Sequence, residues 1–549
     1  MPCNRAILYW LMIVSTSFCR GEDTVIQFED STATSGIDFV HTDGSTGELH
    51  IVETVASGLA TFDYDNDGRI DIYFLNGSLL DNDADPSPTN RLYRNQGNMR
   101  FVDVTVHSHL GDPRYGLGVA VADYDNDGFQ DVYLSNFGTN SMFHNNGDGT
   151  FTELAMLMGT AAADPTKVGS GAVFLDADGD GDLDLYVANY LAYTPDLNVT
   201  NRWRGHRIYP EPAQFRPFPD MFYLNNGDGT FTDVSHERGV NQHLGRGMGV
   251  VCGDYDNDGD TDIFVTSDGQ PGNSLLVNDG QGHFHDDGIL AGVALDASGL
   301  ALGAMGVACG DYDNDQMLDF LVSSFQGQWL TLFKNVGHGL FEDVTARTNV
   351  GEGSYSQVTW GCSLEDLDND GDRDAFVGCG HLIDNIEEID DSIPLAAPPL
   401  VLRNSGGSFA NVTDQAGPGA KVKTVARGVA FDDLDNDGLV DVVISASRRP
   451  PVVLRNATNT DKHWLQVRLI GIRSNRDGVG ARVVVSTDTT KQIAEVQSGR
   501  GYQSHFGSRL HFGLGEATVA RNVTIRWPTG DIQELHQVPA NQCVIVVEE

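Results

Sequence analysis

Positive charge is what this sequence is short of. It has 34 lysines and arginines against 78 aspartates and glutamates, a formal net charge of −44. Neutralising a phosphate backbone takes clustered Lys and Arg, so nucleic-acid binding through a basic face is excluded. Docking on anionic lipid is disfavoured on the same ground. Cysteine is scarce too, and no CxxC pair occurs, which leaves neither a zinc ribbon nor a dithiol redox motif. Beyond residue 20 the cysteines are Cys252, Cys309, Cys362, Cys379 and Cys543, an odd set in which at least one is unpaired within the chain. Cys252, Cys309 and Cys362 fall in equivalent apolar runs and read as small core residues. No apolar run reaches the roughly 20 residues that span a bilayer. Arg5, the short apolar stretch Ala6 to Phe18, and Ser17 with Cys19 read together as a signal peptide over residues 1–20. The mature chain is therefore expected outside the cytoplasm (secreted, at the cell surface or periplasmic) with no membrane span. Signatures of catalysis are missing as well: there is no GxSxG, HExxH or Gly-rich phosphate loop. The chain reads as a non-enzyme.

What the sequence does have is a repeat. D-x-D-x-D-G-x-x-D, or a close variant, begins at Asp63, Asp123, Asp176, Asp254, Asp311, Asp366 and Asp433. Five residues before each first Asp stands a glycine: Gly58, Gly118, Gly171, Gly249, Gly306, Gly361 and Gly428. Each acidic loop is followed by an apolar run such as Ile72-Tyr73-Phe74-Leu75, then by a second run ending in Asn, such as Leu92-Tyr93-Arg94-Asn95. A glycine-rich turn and a last strand such as Phe231-Thr232-Asp233-Val234 complete the unit. Four antiparallel strands repeated seven times predict an all-β chain built around a seven-bladed β-propeller. The upstream glycine suits the innermost strand, where blades crowd the axis. The seventh unit lacks its last strand, and Ile26 to Ser31 resembles one, so the N-terminal strand is expected to close the ring. The propeller would occupy residues 21–458.

Carboxylates at positions 1, 3, 5 and 9 of a loop can converge on one hard cation, and several flexible carboxylates favour Ca²⁺ over Mg²⁺. The candidate ligands are Asp63, Asp65, Asp67 and Asp71 in the first loop and Asp123, Asp125, Asp127 and Asp131 in the second. The third and fourth supply Asp176, Asp178, Asp180, Asp184, Asp254, Asp256, Asp258 and Asp262. The last three supply Asp311, Asp313, Asp315, Asp319, Asp366, Asp368, Asp370, Asp374, Asp433, Asp435, Asp437 and Asp441. A solvated acidic turn explains one such loop, not seven in register, because packed carboxylates repel unless neutralised. Six or seven Ca²⁺ sites are expected. The fifth should be weakest, since Gln316 replaces the glycine of the other loops and a non-glycine left-handed residue costs roughly 1–2 kcal/mol.

These stretches resemble the FG-GAP/VCBS repeats of integrin α-chain propellers. His463-Trp464-Leu465, Ser474 to Arg482, Ser498-Gly499-Arg500-Gly501-Tyr502, Leu510 to Gly515 and Trp527-Pro528-Thr529-Gly530 resemble the ASPIC/UnbV domain. The two-part arrangement is similar to the cartilage acidic protein family. The resemblance implies calcium binding and an extracellular adhesion or matrix role, and brings no catalytic reaction with it. From the residues alone, 459–549 alternate with period two over seven or eight short strands, predicting a small β-sandwich-like domain. Its arginines, among them Arg473, Arg476, Arg482, Arg500 and Arg509, could hold it on the acidic propeller or bind an anionic partner.

Loops 1–2 and 3–4 of a blade share one face, so the long 2–3 insertions, Asn76–Asn90, Asn189–Asp220 and Gly378–Pro399, converge on the other. Long loops on a rigid scaffold are the usual place for function. The middle insertion carries Arg202, Trp203, Arg204, His206, Arg207 and Tyr209, with Phe215, Arg216 and Phe218 beyond. It reads either as a patch for an extracellular protein or glycan or as a loop packing its aromatics on the propeller. The expected function is thus an extracellular calcium-binding adhesion or matrix-type protein whose propeller presents a face to a protein or glycan. The alternative is a carbohydrate-active hydrolase or lyase with an axial site, for which His381 is a candidate near the axis.

Overall fold

The computed structural model describes residues 24–80, 89–242 and 244–549. The expected signal peptide, residues 1–20, lies outside them, as does most of the first insertion. Every acidic loop joins the first two strands of a four-stranded antiparallel sheet, because its ninth residue opens the second strand. Blade 1, for example, runs Leu59–Phe62, Asp71–Phe74, Arg91–Asn95 and Phe101–Asp103. There are seven such sheets. Blades 2 and 3 are additionally bridged between Val168 and Phe137. In the seventh, Ala426–Asp432, Asp441–Ala446 and Val452–Asn456 take Phe28–Asp30 as fourth strand, with Phe28 opposite Asn456. First strands neighbour one another around the ring, and that of blade 7 returns to that of blade 1. The molecule is all-β, with seven blades.

The first two strands of each blade are buried on both faces, between neighbouring blades, and are correspondingly rich in apolar residues. Fourth strands are half-exposed and mostly keep one inward aromatic, such as Phe101, Phe231 or Phe284. The upstream glycines lie where first strands crowd the axis. A Cβ at Gly58 would stand 1.9 Å from the Gln503 carbonyl oxygen, and one at Gly306 2.6 Å from that of Trp360. All seven glycines meet an atom closer than 3.0 Å, so no side chain fits there.

A feature not read from the sequence ties the ring together. The buried Asn at or near the end of each third strand donates its Nδ2 to the carbonyl of loop position 2 in a neighbouring blade. The links are Asn95 to Leu434 (2.8 Å), Asn145 to Tyr64 (2.9 Å), Asn225 to Tyr124 (3.0 Å) and Asn278 to Ala177 (2.7 Å). Asn335 to Tyr255 (2.7 Å), Asn404 to Tyr312 (2.7 Å) and Asn456 to Leu367 (2.9 Å) complete a closed belt.

The C-terminal domain is a sandwich of two sheets. One orders Leu510–Gly515, His463–Ile470 and Gln542–Val547; the other orders Lys491–Glu495, Arg482–Ser486, Val519–Arg526 and Ile532–Pro539. Leu465, Val483, Phe512, Ile525 and Trp527 fill the space between them. The segment after Glu495 leaves the sandwich and enters the propeller axis, where all seven blades hold it. His505 bridges to Ala60 of blade 1, Ser498 to Phe174 of blade 3 and Gly501 to Val307 of blade 5. Val119 of blade 2 donates its N–H to the Gln503 carbonyl (3.2 Å), and the Gln497 amide donates to Cys252 of blade 4 (3.2 Å). Arg500 lies 3.7 Å from Glu365 of blade 6, and Gly507 N–H donates to Asp432 of blade 7 (3.2 Å). Tyr502 packs edge-on against Trp360 and donates its hydroxyl to the Val55 carbonyl at 2.8 Å. Of the cysteines, Cys252, Cys362 and Cys379 are buried, and all five described ones are free thiols.

Candidate functional site

The acidic loops share one backbone solution. Position 4 is left-handed in every copy: Asn66, Asn126, Asn257, Asn314, Asn369 and Asn436 have φ of 55–65°, and Gly179 has 73°. Asn tolerates that region better than other residues with a side chain. The first Asp then accepts N–H groups from later in its own loop, as Asp63 does from Asp67 and Gly68 at 2.9 Å each. The ninth Asp is buried in all seven loops. It accepts from the backbone of position 2 and of the belt Asn, as Asp71 does from Tyr64 (3.2 Å) and Asn95 (2.7 Å). Gln316 is forced to φ 72° where all six other loops have a glycine of positive φ.

These constraints bring carboxylates together. Ligand atoms of Asp63, Asp65 and Asp71, and of Asp123, Asp125 and Asp131, lie within 4.8 Å of one another; in blades 3 and 4 the grouped residues are Asp176, Asp178 and Asp180, and Asp254, Asp256 and Asp258. Burial raises these acids, and neighbouring carboxylates raise them further: Asp131 to about 7, Asp176 and Asp311 to about 6. At position 3, one oxygen each of Asp65, Asp178, Asp313, Asp368 and Asp435 is buried with no hydrogen-bond partner. Orphaned, crowded, oxygen-only donors fit a hard cation.

Protein cations already approach most loops. The residue before the belt Asn is basic in five blades. Arg94 reaches Asp65 (2.8 Å), His144 reaches Asp125 (3.3 Å), Lys334 reaches Asp315 (2.9 Å), Arg403 reaches Asp368 (3.4 Å) and Arg455 reaches Asp435 (2.6 Å). Blades 3 and 4 have Leu224 and Val277 there. Arg526 and Arg482 of the C-terminal domain approach Asp254 of loop 4. Among the described residues, no ion pair reaches Asp176, Asp178, Asp180 or Asp184 of loop 3.

The C-terminal domain sits on the same face as the loops and holds their position-4 residues. Oδ1 of Asn66 accepts from Arg468 (3.2 Å), that of Asn126 from the Arg476 N–H (2.7 Å), and that of Asn436 from Arg509 (2.6 Å); His511 Nε2 lies 2.8 Å from that of Asn369. Asn257 receives Arg482. Trp464 lies against Gly438, where a Cβ would stand 1.9 Å from the indole. Of the arginines singled out, Arg482, Arg500 and Arg509 bind propeller groups through their side chains, while the Arg473 side chain pairs within its own domain with Asp531 at 2.7 Å.

The chain matches the FG-GAP-like repeat family over residues 63–134, 123–187, 196–265, 254–322 and 311–377, together more than half of its length. It belongs to the FG-GAP-like repeat family. Residues 471–549 of this FG-GAP-like protein match the ASPIC and UnbV family. Its curated relatives include cartilage acidic protein 1 of Mus musculus, 26% identical over 506 residues that cover 86% of this chain and 70% of the relative. Cartilage acidic protein 1 of Xenopus tropicalis is 24% identical over 514 residues, 86% of this chain and 70% of the relative. Among solved structures, an Agrocybe aegerita lectin that recognises non-reducing terminal N-acetylglucosamine aligns with TM-score 0.38 and 18% identity, covering 65% of this chain and 79% of the lectin. A Bacillus licheniformis rhamnogalacturonan lyase aligns with TM-score 0.37 and 12% identity, covering 78% of this chain and 75% of the lyase.

The opposite face differs from the sequence expectation in one respect. The middle insertion forms a hairpin, Asn201–Trp203 paired with His206–Ile208. Arg202, Arg204, His206 and Arg207 are at least partly exposed. Tyr209 is not part of a surface patch: it is 4% exposed. Its hydroxyl lies 2.8 Å from Asp384 and 3.1 Å from Glu53, because the chain dives under the hairpin to meet the third insertion. Trp203 packs with Ile208 against Ile386 and Ile389 of that insertion. All three hairpin arginines are engaged within the protein, Arg202 with the Gly205 carbonyl (2.9 Å), Arg204 with Asp390 (3.1 Å) and Arg207 with Glu48 (3.3 Å). His381 is buried, its Nδ1 accepting the Ile383 N–H at 3.0 Å, and burial then Arg427 hold its pKa down to about 4. Among the described residues no helix is long and apolar enough to cross a membrane.

Proposed function

We propose that this is an extracellular, calcium-loaded matrix or adhesion-type protein. Its propeller would be stiffened by Ca²⁺ on the face that carries the C-terminal domain, leaving the insertion-bearing face for an extracellular protein or glycan. The observation that carries the reading is the repeated convergence of carboxylate ligand atoms within 4.8 Å, with an orphaned buried oxygen at position 3 of five loops. Asp at positions 1 and 3, joined by position 9 in blades 1 and 2 and by position 5 in blades 3 and 4, would hold the ion. Bound Ca²⁺ supplies charge neutralisation where burial and mutual repulsion now disfavour ionisation. Loop 3, whose aspartates make no direct ion pair among the described residues and feel only Arg238 nearby, should depend on the ion most. The relatives' name, cartilage acidic protein 1, supports a matrix-type role and names no reaction.

The enzyme reading needs open space on the axis. Residues 496–508 fill that volume from the side of the acidic loops, which favours binding over turnover. Titrating chelated protein with Ca²⁺, with calorimetric stoichiometry and melting temperature as readouts, tests the proposal. Six or seven ions and a large rise in melting temperature are expected. A melt indifferent to chelator would refute the structural role.

A further inference from the structure

A groove of about 550 Å³ lies on blade 5, and no residue of the acidic loops or of the insertion hairpin lines it. Trp329, from the 2–3 loop of blade 5, forms its aromatic wall, and Tyr355 stands against that ring with centroids 4.7 Å apart. Both are 50% exposed. A half-exposed aromatic pair beside a groove is unusual in a chain that buries most of its aromatics, and size and aromatic lining suit a ligand site.

The polar lining selects the ligand. Asp296, Asp343 and Glu352 are its ionisable residues, and no Lys, Arg or His lines it. Anionic ligands, including sulfated and sialylated glycans, are thereby excluded. The carboxylates are held in place by backbone N–H groups: Asp343 accepts from Ala297 (2.8 Å) and Thr345 (3.0 Å), Asp296 from Ser298 (2.9 Å). Glu352 Oε2 accepts from Asn411 N–H at 3.0 Å. Their remaining lone pairs make the groove rich in acceptors. Donors are few, since the Asn349 amide is spent on Glu352 (3.1 Å) and the Phe409 carbonyl (3.3 Å). A sugar ring needs donors and acceptors together. Guanidinium and ammonium groups offer donors only, carry the complementary charge, and lie favourably over an indole face.

We infer that this groove binds a basic peptide segment of an extracellular partner, an Arg or Lys side chain lying on Trp329 between Asp343 and Glu352. The site stands independently of the calcium reading. A fluorescein-labelled decapeptide of alternating Arg and Ser, titrated by anisotropy in 0.15 M NaCl with Ca²⁺ present, tests it. Salt at that strength screens diffuse attraction to the acidic surface. Trp329→Ala and Glu352→Gln are each expected to weaken binding at least about tenfold, equivalent to about 1.4 kcal/mol, with melting temperature unchanged. Glu352→Gln keeps an acceptor for the Asn411 N–H and removes only the charge. Glu342→Gln, an exposed carboxylate outside the groove, should leave binding as it was. Equal affinity for all four proteins would overturn the inference. So would capture of a neutral N-acetylglucosamine oligomer, lost in Trp329→Ala and insensitive to salt, with no peptide binding.

Discussion

Replacing one asparagine of the inter-blade belt tests how the ring is held. Asn335 is 1% exposed. Its amide donates to Tyr255 O (2.7 Å) in blade 4 and to Leu318 O (3.2 Å) in its own loop, and its Oδ1 accepts the Gly337 N–H at 2.9 Å. Asn335→Leu keeps the volume and loses all three bonds. Two carbonyls and an N–H are then left in a dry interface, and each unsatisfied buried group costs about 1–3 kcal/mol. Part of this is recovered by relaxation, so the variant should lose about 2–5 kcal/mol. The backbone N–H of residue 335 still reaches Asp319 (2.8 Å), so the loop carboxylates keep their partners. Urea unfolding with saturating Ca²⁺ and again with chelator is the assay: the midpoint should fall by the same free energy in both, with the slope unchanged. Asn146→Ala removes an exposed asparagine bonded to Thr150 (3.0 Å) and should stay within about 0.5 kcal/mol. A loss below about 1 kcal/mol for Asn335→Leu, or a loss seen only with Ca²⁺, would refute the belt as a calcium-independent element.

Two further outcomes follow from other residues. His505 is buried in the axial segment, and desolvation followed by Arg500 lowers its pKa to about 3. The unfolded chain takes up the proton near pH 6.5 and the native chain does not, so stability falls as pH drops below about 6.5, by about 1.4 kcal/mol per pH unit for this group, down to about 3. His505→Asn, which retains an acceptor for the Gly499 N–H, should flatten the dependence of the urea midpoint between pH 5 and 6.5 by one proton; an unaltered slope would count against a neutral buried imidazole. Gln316→Gly relieves a left-handed side chain at φ 72° and should stabilise the protein by about 1 kcal/mol, while tightening the weakest Ca²⁺ step in calorimetry. No change in either readout would remove Gln316 as the reason for ranking loop 5 last.

Much of the architecture was legible because it is periodic. Aspartates, glycines and apolar runs recur at fixed offsets, and a missing fourth strand at one end matched a spare strand at the other. What escaped reading lies between repeats. The belt asparagines could be seen to end a strand, yet their acceptors stand in another blade, and only a closed ring brings Asn95 to Leu434. Position-4 asparagines look like ordinary turn residues until the C-terminal domain is placed over them. The segment Ser498 to Ser508, with three glycines, has no alternation and reads as a loop; its role depends on a hole that exists only after seven blades assemble. Tyr209 was grouped with Arg202 to Arg207 by composition, but the first residue beyond the hairpin strand already turns its side chain inward.

The filled axis has a mechanical consequence. Tension applied through the C-terminal domain does not peel one blade from its neighbour. It draws on a spindle whose backbone is bonded at once to Leu59 and Thr61, Val119, Phe174 and Val307, so bonds on four blades must yield in shear together before the wheel comes off its axle.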